Sequence, residues 1–343
     1  MTMTEPNELA TAVAHAAGVI RIPLPVPVHG IGATNAYLLQ DDDLGHLLVD
    51  PGTYRPEVPD GGLGQLSAAL QGQGIRLGDI RALLVTHPHI DHYGLTGHVL
   101  SNTGGELWMH AAAPLDFYAF RAPARERQRL RRILHMHGVE GDDVENLAGL
   151  GVDDWAPYLH SVVEPTLPLW GGEHLSIGTR DFEVVYTPGH SRSHICLWAP
   201  IDRLLLSGDH LLPGITPPIN FHHGIDDDPL GQYLDGLARI EALDPVLVLP
   251  GHGRPFADGG RRAGAIRQSK LRRIQAVQNV LSVEPLTVKQ ITAQVYVKAV
   301  RTFQLRMAMT EVLGIVGYLS KRGLVERVSG PDGVTRFAGT ERR

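Results

Sequence analysis

Four potential metal ligands fall within six residues in the stretch Thr-His-Pro-His-Ile-Asp-His: His87, His89, Asp91 and His92. They directly follow Arg-Ala-Leu-Leu-Val at 81–85, an apolar run with the character of a β-strand. Since alternate residues point the same way just past a strand end, His87 and His89 can bind one metal ion. Asp91 and His92 turn away as the next helix begins and can bind a second ion. The pattern therefore predicts a two-metal hydrolase.

Three further candidate ligands follow three other apolar runs: His190 in Thr-Pro-Gly-His-Ser, Asp209 in Ser-Gly-Asp-His, and His252 in Pro-Gly-His-Gly. Each lies in a turn marked by glycine or proline, directly after a strand-like segment. The chain has 18 histidines, so a single His-x-His pair would be weak evidence for a metal site. Chance clustering would not be expected to place ligands at four strand ends, and this repetition favours a metal centre.

These pieces together resemble the metallo-β-lactamase-fold superfamily, as does an earlier segment, Leu-Leu-Val-Asp-Pro-Gly at 47–52. The resemblance covers roughly residues 20–260 and implies an α/β fold, an αββα sandwich of two mixed sheets. It implies two divalent metal ions. The implied ligands are His87, His89 and His190 for metal one, Asp91, His92 and His252 for metal two, and Asp209 as the bridge between them. Asp50 would orient a ligand histidine, or else it is only a turn aspartate before Pro-Gly.

The bridging position separates groups within this superfamily. Asp209 is a hard oxygen ligand where the commonest zinc β-lactamases carry a cysteine. The single cysteine, Cys196, lies in an apolar stretch and is expected to be a small buried hydrophobe. We therefore do not expect β-lactam hydrolysis, and the ligand set is more similar to glyoxalase II-like thioesterases, lactonases and metallo-nucleases. A site of nitrogen and oxygen ligands favours zinc but also accepts iron or manganese.

The expected reaction is hydrolysis of a small ester, thioester or lactone by a hydroxide held between the two ions. Asp91 is the candidate catalytic residue, because it can accept the proton of the nucleophile and pass it to the leaving group. The simpler alternative is that Asp91 is only a ligand. Two other functions remain open at this point: a metal-dependent endoribonuclease, and a non-catalytic binding protein that kept the fold.

Length and composition indicate the number of domains and the cellular location to expect for this chain. A length of 343 residues favours two domains. The sequence contains no run of 18 apolar residues, so no membrane span is expected. The first residues, Met-Thr-Met-Thr-Glu-Pro, lack the charged and apolar regions of a signal peptide. One cysteine excludes an internal disulfide. These features predict a cytoplasmic protein.

The charge of −6 is unevenly distributed along the chain. Residues 261–343 carry 16 Lys/Arg against 5 Asp/Glu, whereas residues 1–260 carry 15 against 32. The division predicts a catalytic domain at 1–260 and a second domain at 261–343. Three helices followed by a hairpin with a Gly/Pro turn resemble a winged helix. Its basic charge allows nucleic-acid binding, but a docking or homodimerisation module is favoured because the third helix is apolar on nearly every side.

A segment at about 111–165 lies between the first two motifs and is predicted to be a helical cap insertion. Residues 124–137 have the composition of a helix with several arginines. Such a helix could lie over the metals and select an anionic thioester, or it could be a solvated surface helix. The loop after Asp209 offers candidates for the pocket wall at 220–223.

Overall fold

Each of two compact units is assembled from three separate stretches of the chain. The computed structural model describes residues 18–27, 32–43, 45–149, 155–219, 228–281, 284–296 and 302–340. The first unit comprises the described parts of Met1–Phe117, Trp155–Pro217 and Gly236–Gly264. The second comprises those of Tyr118–Asp154, Pro218–Asp235 and Ala265–Arg343. The domain division at 1–260 and 261–343 stays a prediction.

Two six-stranded sheets form the first unit. The first sheet contains, in spatial order, β1 (Val19–Pro25), β2 (Ala33–Leu39), β3 (His46–Val49), β4 (Ile80–Leu84), β5 (Glu106–His110) and β6 (Leu167–Leu169). The second contains β7 (His174–Ile177), β8 (Arg180–Tyr186), β9 (Ile195–Ala199), β10 (Leu204–Gly208), β11 (Leu247–Pro250) and β12 (Phe256–Ala257), in the order β12 to β7. Strands β3 to β6 run parallel, as do β10 and β11, and the remaining neighbours are antiparallel. Both sheets are therefore mixed, as predicted.

The core of this unit draws on both sheets. Leu47, Val49 and Leu84 from the first sheet share one buried cluster with Val184 and Leu206 from the second. Leu47 and Val49 are two residues apart because a strand sends alternate side chains to the same face. Every residue of β9, β10 and β11 is buried, so both faces of these strands are covered.

Short helices follow the strands of the first sheet. They are α1 (Leu63–Gln71), α2 (Ile90–Tyr93) and α3 (Thr96–Thr103). Leu66 and Leu70 of α1 are fully buried, four residues apart on one face of the helix. Helix α2 is a single turn, and it begins inside the first histidine motif. The arrangement is the mixed α/β fold that the resemblance implied.

The second unit is mainly helical. Its helices are α4 (Tyr118–Arg121), α5 (Pro123–Met136), α6 (Asp142–Gly149), the start of α7 (Pro229–Leu243), most of α8 (Gly259–Val280), α9 (Val288–Val295) and α10 (Thr302–Lys321). A two-stranded antiparallel sheet of β13 (Val325–Ser329) and β14 (Thr335–Gly339) follows. Helix α9 begins directly after its N-cap Thr287, which forms a reciprocal capping box with Gln290.

The predicted cap insertion supplies α4, α5 and α6 to this helical unit. Lys289 donates its backbone N–H to the carbonyl of His137 at 3.2 Å, and its Nζ lies 3.5 Å from an Asp143 carboxylate oxygen. Arg306 donates to the carbonyl of Leu147 at 3.0 Å. The insertion therefore packs against α9 and α10. Its placement over the metals stays a prediction.

A search of the described residues finds no helix with both the length and the apolar character needed to cross a lipid bilayer.

Candidate metal centre

The structure brings all seven predicted ligands together in the first unit. Three groups of side chains have ligand atoms within 4.8 Å of one another: His87, His89 and His190; His87, His92 and Asp209; and Asp91, His92 and His252. They come from the ends of β4, β8, β10 and β11, where the chain leaves each strand. We call the first group the first half-site and the third group the second half-site. The middle group shows that Asp209 lies between them.

The first half-site consists of three imidazoles. The Nε2 atom of His87 lies 2.9 Å from Nδ1 of His89, and the two rings are nearly perpendicular at 78°. The ring of His190 lies 4.5 Å from that of His89, centroid to centroid. His87 and His190 are buried, and His89 is half-buried. Ring nitrogens that converge in this way from three directions are suited to a tetrahedral ion.

The second half-site adds a carboxylate. The Nε2 atom of His252 lies 3.1 Å from Oδ2 of Asp91 and 3.3 Å from Nε2 of His92. The backbone of His89 is extended, and α2 begins at the next residue. This change in backbone direction turns Asp91 and His92 away from His87 and His89. The divergence predicted from the sequence is therefore produced by the start of a helix.

Asp209 contacts residues of both half-sites. Its Oδ2 atom lies 3.5 Å from Nε2 of His190 and 3.4 Å from Nε2 of His252. Its Oδ1 atom lies 3.5 Å from Nε2 of His92, is buried, and has no hydrogen bond among the described residues. A buried carboxylate oxygen without a donor is costly unless a cation meets it. The donor set therefore fits metal ions on this observation.

Asp50 fixes the orientation of one histidine in each half-site. It accepts hydrogen bonds from the backbone N–H and the hydroxyl of Thr86, both at 2.8 Å, and from Nδ1 of His92 at 2.8 Å. Because the Thr86 hydroxyl donates to Asp50, it accepts from Nδ1 of His87 at 3.0 Å. Both imidazoles thus hold their proton on Nδ1 and direct a lone pair on Nε2 into the centre. Asp50 supports ligands, and it is also a turn residue, since its φ is 52°.

His194 supports the bridging residue. Its Nε2 accepts the backbone N–H of Asp209 at 3.1 Å, and its Nδ1 therefore donates to the hydroxyl of Thr187 at 2.8 Å. Burial, together with the neighbouring imidazole of His210, holds the pKa of His194 well below its usual range. His194 is thus a neutral acceptor. The hydrogen bond to Asp209 gives His194 a role in supporting that residue beyond simple core packing.

The backbone at Gly251 passes so close to Asp209 and His92 that this position requires a glycine. A Cβ atom on Gly251 would lie 2.5 Å from Oδ1 of Asp209 and 2.7 Å from Cε1 of His92. No side chain fits there without displacing a ligand. The glycine of the Pro-Gly-His-Gly motif is therefore explained by packing against the other ligands, and not only by the turn.

Sequence reasoning missed the residues that hold the His252 loop. Nδ2 of Asn35 donates to the carbonyls of Pro250 and Gly253, both at 2.8 Å. The hydroxyl of Tyr37 donates to the same Pro250 carbonyl at 2.8 Å. Nδ1 of His252 donates to the carbonyl of Ala33 at 2.9 Å, which leaves Nε2 available to the centre. All of these partners come from β2 or its start, and no local motif marks them.

The charges differ between the half-sites. Burial and the other imidazoles hold the pKa values of His87 and His89 well below the usual range. Burial also opposes the charged form of His92, but the carboxylates of Asp209 and Asp50 outweigh it and raise the pKa to about 10. Asp209 and Asp91 likewise raise the pKa of His252 to about 11. Metal ions must therefore displace protons at the second half-site.

The remaining candidates are placed outside the centre or outside the described residues. Cys196 is fully buried in β9, where its Sγ lies 3.3 Å from the Thr187 hydroxyl, and burial raises its thiol pKa to about 12. It is a small buried side chain, as predicted, and no candidate metal group in the described part of the chain includes it. Residues 220–223 lie outside the described residues.

The chain is similar to proteins from bacteria and animals. It is 27% identical over 310 residues to "Probable metallo-hydrolase YqjP" of Bacillus subtilis, covering 86% of this chain and 90% of the relative. It is 23% identical over 224 residues to "Hydroxyacylglutathione hydrolase GloC" of Haemophilus influenzae, covering 64% and 85%. It is 34% identical over 101 residues to "Acyl-coenzyme A thioesterase MBLAC2" of Bos taurus, covering 27% and 33%.

A solved structure matches nearly the whole chain. The beta-lactamase domain protein from Burkholderia ambifaria superposes with a TM-score of 0.79 at 26% identity, covering 94% of this chain and 92% of that one. The family model described as the metallo-beta-lactamase superfamily matches residues 29–252, which include every ligand of the centre. The chain therefore belongs to the metallo-beta-lactamase superfamily and is a metal-dependent hydrolase.

Proposed function

We propose that the chain binds two divalent ions and hydrolyses a small ester, thioester or lactone. The observation that carries the proposal is the position of Asp209, whose two carboxylate oxygens lie within 3.5 Å of ligand atoms from both half-sites. One carboxylate placed between two sets of ligands is suited to bridge two ions, because it can give one oxygen to each.

In this proposal, His87, His89 and His190 hold metal one. Asp91, His92 and His252 hold metal two, and Asp209 bridges them. Five imidazoles and two carboxylates without a thiolate suit zinc, and also iron or manganese. We propose zinc as the resident metal. Elemental analysis of the purified protein tests the identity of the metal, and its expected result is about two zinc ions per chain.

The bound ions would lower the pKa of water toward about 7 and stabilise the developing oxyanion. The protein supplies orientation and proton transfer. Hydrogen bonds to Asp50 and Thr86 keep His87 and His92 in the tautomer that binds metal. The imidazoles of His92 and His252 outweigh burial and hold the carboxyl pKa of Asp91 at about 2. Asp91 is therefore ionised at neutral pH, and we propose that it accepts the proton of the nucleophile.

Two relatives support acyl substrates, since their names describe a hydrolase of hydroxyacylglutathione and a thioesterase of acyl-coenzyme A. The test is a panel of thioesters, lactones and single-stranded RNA, assayed together with metal content. Hydrolysis of an acyl substrate by the two-metal protein is the expected result. RNA cleavage without acyl hydrolysis would contradict the proposal and would favour the alternative ribonuclease function.

A matched pair of histidine variants tests the site assignment. His87→Ala removes a ligand, so metal content and activity should fall together. His174→Ala is the control, because His174 lies on β7 and is an exposed partner of Asp181 on β8. Full activity in His87→Ala, or equal losses in both variants, would contradict the assignment.

We also propose that the C-terminal elements form a winged-helix module. Support comes from the order α9, α10, hairpin, and from Leu286, which pairs with Phe337 of β14 through two backbone hydrogen bonds of 2.9 and 2.8 Å. Residues 312–317 of α10 are all buried, which covers every side of the helix. A helix covered in this way is suited to packing and not to a nucleic-acid groove. No RNA binding by the full chain, even at low salt, is therefore expected.

A further inference from the structure

A short turn after β5 contacts the loop that carries His190. The turn contains a 3-10 helix, Ala113–Leu115, and continues into Asp116. Oδ2 of Asp116 accepts hydrogen bonds from the hydroxyl of Ser193 at 3.2 Å and from that of Ser191 at 3.4 Å. Both serines are buried, with 1% and 6% of their surface exposed. One carboxylate therefore joins the residues on the C-terminal side of His190.

Residues 189–194, which we call the serine turn, are joined to one another by several hydrogen bonds. The hydroxyl oxygens of Ser191 and Ser193 lie 3.3 Å apart, and the backbone N–H of Ser193 donates to the Ser191 hydroxyl at 3.3 Å. The carbonyl of Ser191 accepts from the N–H of Gly189 at 3.1 Å and of His194 at 3.4 Å. These bonds enclose His190. Asp116 is the partner that ties this turn to another part of the first unit.

The next residue contacts the helix of the other half-site. Phe117 is fully buried and its ring stacks on Tyr93 of α2, with centroids 5.2 Å apart and an interplanar angle of 27°. The Tyr93 hydroxyl donates to the carbonyl of Val163 at 2.7 Å and accepts its N–H at 2.6 Å. Tyr93 directly follows His92. Two consecutive residues thus reach the two half-sites by separate contacts.

We propose that Asp116 is a positioning residue for the first half-site alone, holding His190 through Ser191 and Ser193, while Tyr93 serves the second half-site. This inference rests on the proposed two-metal function. Asp116 is not a member of any of the three candidate ligand groups, so its removal should leave the ligand set intact. It would release one side of the His190 turn, and partners that orient a ligand typically contribute about 10–100-fold to metal affinity.

The hydrogen bonds around each half-site explain why a change at Asp116 should affect only the first one. His87 and His92 share Asp50, so any change at Asp50 reaches both half-sites. The candidate ligand next to Ser191 is His190, which belongs to the first half-site. His194 contacts the shared Asp209, but its ring is held separately by the hydroxyl of Thr187 at 2.8 Å. A variant of Asp116 should therefore weaken one ion and spare the other, which a general loss of stability would not do.

The test measures metal affinity by chelator competition on the full chain, in two backgrounds. His252→Ala leaves the first half-site complete, and His190→Ala leaves the second complete. Asp116→Ala should weaken zinc binding about 10–100-fold in the first background and by less than about twofold in the second. Tyr93→Phe keeps the stack on Phe117 but loses both bonds to Val163, and should show the opposite pattern.

Three controls keep the result specific. Asp181→Ala removes an exposed carboxylate that pairs with His174 and should change neither affinity. The double variant Ser191→Ala/Ser193→Ala should reproduce Asp116→Ala. Asp116→Asn keeps an acceptor oxygen for the serines, so it should lose less than Asp116→Ala, and it serves where the alanine variant fails to fold.

Equal weakening by Asp116→Ala in both backgrounds, or in neither, would overturn the positioning role. The wild-type protein separates this failure from failure of the proposed function. A wild-type chain that binds fewer than two ions contradicts the two-metal proposal and this inference with it. A two-metal wild type with an unselective Asp116 variant contradicts the inference alone.

Discussion

The two half-sites both draw on the residues after β4, but the first adds His190 after β8, the second adds His252 after β11, and the two differ in charge. The first is built from three imidazoles, and burial, together with neighbouring imidazoles, lowers the pKa values of His87 and His89. The second pairs two imidazoles with a carboxylate, and its histidine pKa values are raised to about 10 and 11. The comparison teaches that a metal ion would meet neutral imidazoles at His87 and His89, whereas at the second half-site it would compete with protons on His92 and His252.

The largest expected effect comes from removing what the half-sites share. Asp209→Ala deletes the carboxylate that lies within 3.5 Å of both, so both ions should bind more weakly. We expect turnover to fall by more than about 100-fold, beyond the loss typical of an orienting partner. Metal content and initial rates measure this. Selective loss of one ion would show that Asp209 belongs to one half-site.

The pH dependence of metal binding should separate the half-sites next. In His190→Ala, which keeps the second half-site, affinity should rise by about tenfold per pH unit for each imidazole proton displaced, between about pH 6 and 9. The direction follows because His92 and His252 are protonated below their raised pKa values.

His252→Ala, which keeps the first half-site, should show little dependence over that range, since burial and the neighbouring imidazoles keep His87 and His89 neutral. Chelator competition at several pH values checks both slopes. Equal slopes would remove the charge difference on which the comparison rests.

Variants of Asp50 and Thr86 can separate the hydrogen bond that orients His87 from the one that orients His92. Asp50→Asn disturbs the bonds to His92 and, through Thr86, to His87, so both ions should bind about 10–100-fold more weakly. Thr86→Val keeps the shape but removes only the bond to His87, and should weaken the first half-site selectively. Zinc titration of each variant measures the split, and a loss at the second half-site in Thr86→Val would contradict the relay.

A smaller effect is expected at Gly251. The methyl group of Gly251→Ala would lie 2.5 Å from Oδ1 of Asp209 and 2.7 Å from Cε1 of His92, so these side chains must share a shift that restores an ordinary contact. A misplacement of about 1 Å can cost about 100-fold in rate, so we expect a loss of about tenfold. Steady-state kinetics measures the loss. Wild-type rates would show that the bridge tolerates displacement.

The ligands were accessible from sequence because each lies in its own short motif after its own strand. A strand end places a side chain in a defined direction, so spacing alone assigns His87 and His89 to one group and Asp91 and His92 to another. Two mixed sheets followed from the family resemblance of the same motifs. Helix α5 occupies Pro123–Met136, close to the 124–137 expected from composition.

What sequence did not reveal depends on contacts between distant residues. Asn35 and Pro250 are 215 residues apart, and no spacing rule links them. Composition likewise gave no sign that the helices of the insertion pack against α9 and α10 through bonds such as Arg306 to Leu147, while the predicted domain boundary near residue 260 stays a prediction. Asp50 was left open between two roles, since its role depends on hydrogen bonds from Thr86 and His92, which lie 36 and 42 residues away.

The discontinuous course of the chain has a consequence for how the protein is made. The last stretch of the first unit, Gly236–Gly264, contains β11, which pairs between β10 and β12 in the second sheet. During synthesis from the N-terminus, β10 emerges before this partner exists, and one edge of it stays open. An open, apolar strand edge invites pairing with other chains. Ribosome-bound or truncated chains that end before residue 247 should therefore depend on chaperones, although six of the seven ligands have already been made.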